Sequence, residues 1–331
     1  MKRLFGLGLV VVLAATGFSL LTAAENSPSP SAGTAVAAAR PGGIVLAAVG
    51  DTNAPGVSRR SSKAGVVASS IRATHPRAVL HLGDVQYQYG SCRALVRYFD
   101  RVGWGALMRK MIGTAGPTHD WTRYSDRANY RRHMAGACPG QTSGRSLSSR
   151  AWRRGVGPQT SHYVDLGTWR VYSLSSGLWR YKTAAARRAT TWLNRALATG
   201  RAAGDHPLVI WHEPYWTSHS ERHRPATASK PWVNLLDKYN VPIVMSGHQH
   251  GYERFYPQTA RGTRNAATGT QAFTVGSGGI GAAHFGRRAR NSAARAGHTH
   301  GWLKLRLWPD GHYRWTFVRT GGRGFSDDGY R

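Results

Sequence analysis

Four short apolar runs in this chain each end in a residue able to bind a cation, and that repeated layout restricts the fold more than any other feature. The runs are 43–49, 78–82, 207–211 and 241–245. They are followed by Gly50-Asp51, Gly83-Asp84, His212 and Gly247-His248-Gln249-His250. Apolar runs this short, rich in Val, Ile and Leu and closed by turn residues, read as buried strands. Between them, residues 58–74 place Val66, Val67 and Ile71 at helical spacing, and 92–110 carry a stripe of Leu95, Val96, Phe99, Val102 and Leu107. Residues 184–198 and 231–239 also predict helices, and further strands are expected in 160–175 (across Gly167), 272–275, 302–307 and 313–318. Strands alternating with helices, then a strand-rich tail, predict a layered α/β sandwich with its chemistry at the carboxyl ends of strands.

The first 41 residues stand apart. Met1-Lys2-Arg3, the apolar run from Leu4 to Leu21 and the small residues Thr22-Ala23-Ala24 have the order of a secretory signal peptide, cleaved after Ala24. A retained membrane anchor is the alternative, but Gly6, Gly8, Gly17 and the small-residue exit favour cleavage. Residues 25–41, rich in Ser, Pro and Ala, read as a flexible linker. The expectation is a secreted protein with one domain over 42–331. Cys92 and Cys138 are its two cysteines. In an exported chain such a pair is more often bridged than free, and a bridge would tie the loop after Asp84 to the loop after His119; two free thiols are the alternative.

The formal net charge of +30 comes mostly from arginine, spread in pairs such as Arg59-Arg60, Arg131-Arg132, Arg153-Arg154, Arg187-Arg188 and Arg287-Arg288. Such a charge attracts polyanions, and an anionic cell-wall polymer is one candidate partner. A binding patch would require clustering, which this dispersed pattern does not predict. Aromatic residues among the pairs are few, so no specific nucleic-acid partner is expected.

The order Gly50-Asp51, Gly83-Asp84-Val85-Gln86-Tyr87, His119-Asp120, Val209-Ile210-Trp211-His212 and Gly247-His248-Gln249-His250 resembles the calcineurin-like metallophosphoesterases. The tyrosine three residues after the second aspartate is similar to the purple acid phosphatase branch of bacterial secreted type. The resemblance covers about residues 43–320 and implies an α-β-β-α sandwich with mixed sheets. It also implies hydrolysis of phosphate esters, monoesters or diesters, by a metal-activated hydroxide at a dinuclear centre. Asp51, Asp84, Tyr87 and His250 would hold one metal, ferric in the purple branch. Asp84 would bridge to a second metal (Zn, Mn or Fe), also held by His212 and His248. Asn53 stands where related branches have a metal-binding histidine. His119 would hydrogen-bond the phosphate and Asp120 would orient it, while His219 or His223 would contact the phosphate or protonate the leaving group.

One departure stands out. The family's third motif has an asparagine that ligates the second metal, and this chain has Thr118 at that position. A hydroxyl is a shorter and poorer neutral ligand than an amide carbonyl, which places the second metal in question. The competing expectation is a noncatalytic, arginine-rich anion- or cell-wall-binding protein on the same fold, with a partly lost second metal site.

Overall fold

The computed structural model describes residues 42–331, apart from 55, 88–89, 115–118, 121–123, 154–160, 219–222 and 282–283. The signal-peptide and linker expectations, Thr118 and His219 lie outside the described residues.

The four apolar runs form the parallel centres of two sheets. In the first sheet β1 (Ile44–Val49), β2 (Ala78–His81) and β3 (Met111–Gly113) run parallel. The tail strands β11 (Thr299–Leu307), β12 (Tyr313–Gly322) and β13 (Asp328–Tyr330) complete it in antiparallel fashion, in the order β13-β12-β11-β1-β2-β3. In the second, β5 (Trp169–Ser173), β6 (His206–Ile210), β7 (Ile243–Ser246) and β9 (Gln271–Val275) are parallel. The strands β4 (His162–Leu166), β8 (Tyr252–Phe255) and β10 (Ser292–Ala296) are antiparallel to their neighbours, giving β10-β8-β9-β7-β6-β5-β4.

Side chains on a strand alternate between faces, and that alternation sorts the residues into layers. Leu46, Ala48, Leu80 and Leu82 share one buried core with Leu208, Ile210, Ile243 and Met245 of the opposite sheet. Their neighbours Ala47, Val49, Val79, Val209 and Val244 belong to the other core. There they join Val67 and Ile71 of helix Lys63–Ala73, Leu193 and Leu197 of helix Thr183–Ala202, and Trp232 and Leu236 of helix Lys230–Lys238. The architecture is an α-β-β-α sandwich with two mixed sheets. Among the described residues no helix is long and apolar enough to cross a membrane.

The stretch 92–110 departs from the expected single helix. It is a short α-helical turn at Cys92–Ala94, a π-helical segment at Leu95–Asp100 and a 3₁₀ segment at Trp104–Lys110. Gly103, at φ 138°, breaks it, in a conformation open essentially to glycine alone. The apolar spacing still buries Leu95, Phe99, Leu107 and Met108, so the stripe was legible and the continuity was not. The short strands β3 and β13 and helix Tyr124–Met134 have too little apolar periodicity to be read from sequence. Cys92 and Cys138 are joined in a disulfide.

One ion pair links the two sheets. Arg254 of β8 donates through Nε and Nη2 to the Asp327 carboxylate, both at 2.8 Å, and Tyr252 Oη donates to it at 2.6 Å. Asp327 itself sits beside β13, where its carbonyl accepts from Phe317 N at 2.8 Å. Removing one partner of a largely buried pair leaves the other charge uncompensated. Asp327→Ala is therefore expected to cost about 3 kcal/mol, read as a lower urea midpoint. A change below about 1 kcal/mol would contradict it.

Candidate metal centre

Asp51 follows β1, Asp84 follows β2, His212 follows β6 and His248 follows β7, so two strand ends from each sheet meet. Three of these residues have left-handed backbones that are uncommon outside glycine: φ is 58° at Asp51, 49° at Asp84 and 70° at His248. Each such residue costs of order 1 kcal/mol and persists only where its surroundings hold it. Here the backbones brace one another. Asp51 N donates to Gly83 O at 3.1 Å, Asp84 N to Asp120 Oδ2 at 2.9 Å, and His248 N to Asp51 Oδ2 at 2.7 Å. Gly247 serves by its lack of a side chain, because a Cβ there would lie 2.6 Å from Asp51 Oδ2. The reversal of the chain falls on His248 itself.

Asp84 Oδ2 is the hub. It lies 3.0 Å from Tyr87 Oη, 3.4 Å from His212 Nε2 and 3.9 Å from His119 Nε2. Tyr87 Oη is also 2.8 Å from Asp51 Oδ1 and 3.3 Å from His250 Nε2. Two histidines have their tautomers biased by backbone carbonyls. His212 Nδ1 faces Leu82 O at 2.8 Å and His250 Nδ1 faces Gly281 O at 3.1 Å, which directs both Nε2 atoms at the cluster. His212 Nε2 is buried with no aligned hydrogen-bond partner.

These donors fit a cation. Among the described residues Asp51, Asp84 and His212 offer ligand atoms all within 4.8 Å of one another. The single proton of the Tyr87 phenol cannot satisfy the three acceptors around it, whereas a cation could attract all of them. Two carboxylates, a phenol and imidazoles suit iron or zinc better than calcium or magnesium.

The electrostatics tell the same story. Burial pushes the Asp51 carboxyl up to about 7, with the Asp84 charge adding to the effect and His212 opposing it. Burial acts on Asp84 too, but His212, His119 and His248 outweigh it and hold that carboxyl well below the usual range. For His212 burial opposes the proton, yet Asp84 overrides it and raises the imidazole to about 10. Burial lowers His250 to about 4 and His248 well below its ordinary value. The Asp84 charge thus favours the protonated imidazole of His212, and a cation bound through His212 Nε2 would compete with that proton. Metal loading of the apo protein near neutral pH is expected to release at least one proton, with affinity rising about tenfold per pH unit for each proton displaced. Calorimetry in two buffers of different ionisation enthalpy measures the release, and a value of zero would contradict it.

The remaining candidates take distinct places. The half-buried His119 lies against Tyr87, ring centroids 4.0 Å apart. Asp120 is buried, and its two oxygens accept the amides of Asp84 and Val85, a bracing contact that the sequence did not reveal. His223 lies 4.9 Å, ring to ring, from both His248 and His250. His248 is 5.1 Å from His212. Asn53 donates through Nδ2 to Val85 O at 3.0 Å, clipping the Asp51 loop to the Asp84 loop. Sequence reading also missed a cleft of about 430 Å³ that adjoins His248 and includes Trp179, Arg180, Glu213 and Arg224. The scattered positions of these residues give no sequence signal.

Comparison with solved structures places this arrangement in a known architecture. Purple acid phosphatase PPD1 from yellow lupin (Lupinus luteus) seeds matches with a TM-score of 0.64 at 15% identity, over 87% of this chain and 53% of that one. A dimetal phosphatase from Danio rerio matches with a TM-score of 0.54 at 13% identity, over 86% of this chain and 98% of that one. This chain has the calcineurin-like fold. The same fold is shared with GAP50, the anchor in the inner membrane complex of Plasmodium, with a TM-score of 0.61 at 13% identity over 86% of this chain and 88% of that one. No protein-family model matches the sequence. Purple acid phosphatase 15 of Arabidopsis thaliana is 30% identical over 95 residues, which are 28% of this chain and span only 16% of that protein. The calcineurin-like fold accounts for the convergence of Asp51, Asp84, His212 and His248, since it brings four strand ends to one point.

Proposed function

We propose that this chain is a secreted metal-dependent phosphoesterase of the purple acid phosphatase kind. Asp51, Asp84, Tyr87 and His250 would hold one cation, and Asp84, His212 and His248 a second. The observation that carries this reading is Asp84 Oδ2, one carboxylate oxygen shared between the Tyr87 side and the His212 side of the cluster. Cations held there would supply Lewis acidity and a nucleophile at neutral pH.

The chain's own side chains complete the chemistry. His119, beside Asp84, would donate a hydrogen bond to a phosphoryl oxygen. His223, next to His248 and His250, would move a proton to the leaving group, with His219 the other candidate from sequence. Asp120 acts through the backbone of Asp84. Arg180 and Arg224 in the adjoining cleft favour an anionic ester. The basic, apolar, small-residue order of residues 1–24 supports export.

A second reading, a binding protein without turnover, draws support from two observations. The fold is shared with GAP50, an anchor, and Thr118 replaces a ligating asparagine. Fold alone does not imply an activity. Metal analysis of the mature protein, with hydrolysis of a chromogenic monoester and diester, separates the two. Turnover with Fe, Zn or Mn supports the esterase, and no turnover with any of them overturns it. Thr118→Asn is expected to raise both the metal stoichiometry and the rate. Visible absorption lost in Tyr87→Phe would identify iron–phenolate ligation independently of activity.

A further inference from the structure

Five of the arginines that look dispersed along the sequence line one trough of the fold. Two cavities of about 890 and 410 Å³ share the wall formed by Val96, Arg101 and Gly140, and so make one trough. Arg93, Arg97 and Arg101 line it at four-residue intervals, and Arg60 and Arg109 reach it from other segments. All five are exposed. Among the described residues the single carboxylate in the lining is Asp100, already engaged by His133 Nε2 at 2.9 Å and Ser143 Oγ at 3.0 Å. Among the described lining residues, five cations against one anion leave a local charge of +4. Among the described residues none of the five arginines is ion-paired to a carboxylate.

We propose that this trough binds a linear phosphodiester polymer that carries no bases, a polyol-phosphate chain. Three features select that occupant. A row of guanidiniums recognises successive phosphates, each through parallel N–H donors. Arg93, Arg97 and Arg101 follow one another through the helical turn Cys92–Ala94, the π-helical segment Leu95–Asp100 and the residue after it, so the row meets an extended chain at several points rather than one ion at one point. Among the described residues no aromatic side chain lines the trough, so they offer the bases of a single-stranded nucleic acid no surface to stack on. The trough is built from the segment that begins five residues after Tyr87 and from the disulfide loop, with none of the candidate metal ligands in its lining. Its occupancy is thus independent of the proposed hydrolysis.

The test measures binding of the full mature protein to purified poly(glycerol phosphate), with an oligodeoxynucleotide of equal phosphate number and inorganic phosphate as comparators. The triple variant Arg93→Glu, Arg97→Glu, Arg101→Glu is compared with Arg187→Glu, Arg188→Glu, Arg195→Glu on the exposed face of helix Thr183–Ala202, which makes the same change in net charge. The trough variant is expected to bind the polymer at least about tenfold more weakly and with a shallower salt dependence. The control triple should stay within about threefold. The corresponding Gln triple at 93, 97 and 101 keeps the comparison valid if charge reversal disturbs folding. Hydrolysis of a small chromogenic ester is expected to be unchanged in the trough variant. Equal losses in the two triples, or no loss in the trough variants, would overturn the site. Tighter binding of the oligodeoxynucleotide than of the polyol phosphate would overturn the choice of occupant.

Discussion

Asp84→Asn is expected to leave a folded protein that hydrolyses phosphate esters at least about 10³-fold more slowly and binds fewer metal ions. The substitution suits the backbone, because asparagine tolerates the left-handed conformation at φ 49° better than most residues. It keeps the shape and removes the charge. The carboxylate oxygen that faces Tyr87, His212 and His119 becomes one end of a neutral amide. If that end is the NH₂ group, it presents donors where ligand lone pairs are required. The pair of measurements distinguishes causes. Lost metal with lost turnover identifies a bridging ligand. Retained metal stoichiometry and a rate within about tenfold of the parent would refute the role given to Asp84.

Removing the disulfide has the largest expected effect on stability. Cys92 and Cys138 are 46 residues apart, and closing a loop of that size restricts the unfolded chain by about 4 kcal/mol in the chain-entropy account. The closed segment carries β3 and His119-Asp120, so its loosening also reaches the amides of Asp84 and Val85 that Asp120 holds. The Cys92→Ala, Cys138→Ala protein is expected to unfold at a markedly lower urea midpoint. Its metal affinity is expected to fall as well, since the ligand geometry and the fold are coupled. A midpoint unchanged within about 0.5 kcal/mol would show that the bridge constrains little that the core does not.

Much of the site was legible because its donors follow apolar runs directly. A strand end is fixed by local sequence, and Asp51, Asp84, His212 and His248 each sit within three residues of one. What the sequence did not reveal is how the pieces touch. The left-handed backbone after β7 belongs to His248, and Gly247 is required because Asp51 passes beside it. The sequence marks Asp120 as a residue that would orient His119; the structure adds that its carboxylate braces the amides of Asp84 and Val85. Neither contact leaves a trace in spacing, since each joins residues more than thirty positions apart.

The arginines make the same point on a larger scale. The four-residue interval of Arg93, Arg97 and Arg101 is visible in the sequence, but Arg60 and Arg109 join them only through the packing of separate segments. The sequence by itself determined the layered α/β architecture, the strand-end positions of the candidate ligands and the total charge, because periodicity, turn residues and composition are local quantities. Tertiary structure alone decided which oxygen is shared, which backbones are held in left-handed geometry and where the charge collects. Those depend on distances between segments remote in the chain, set by how two twisted sheets pack face to face.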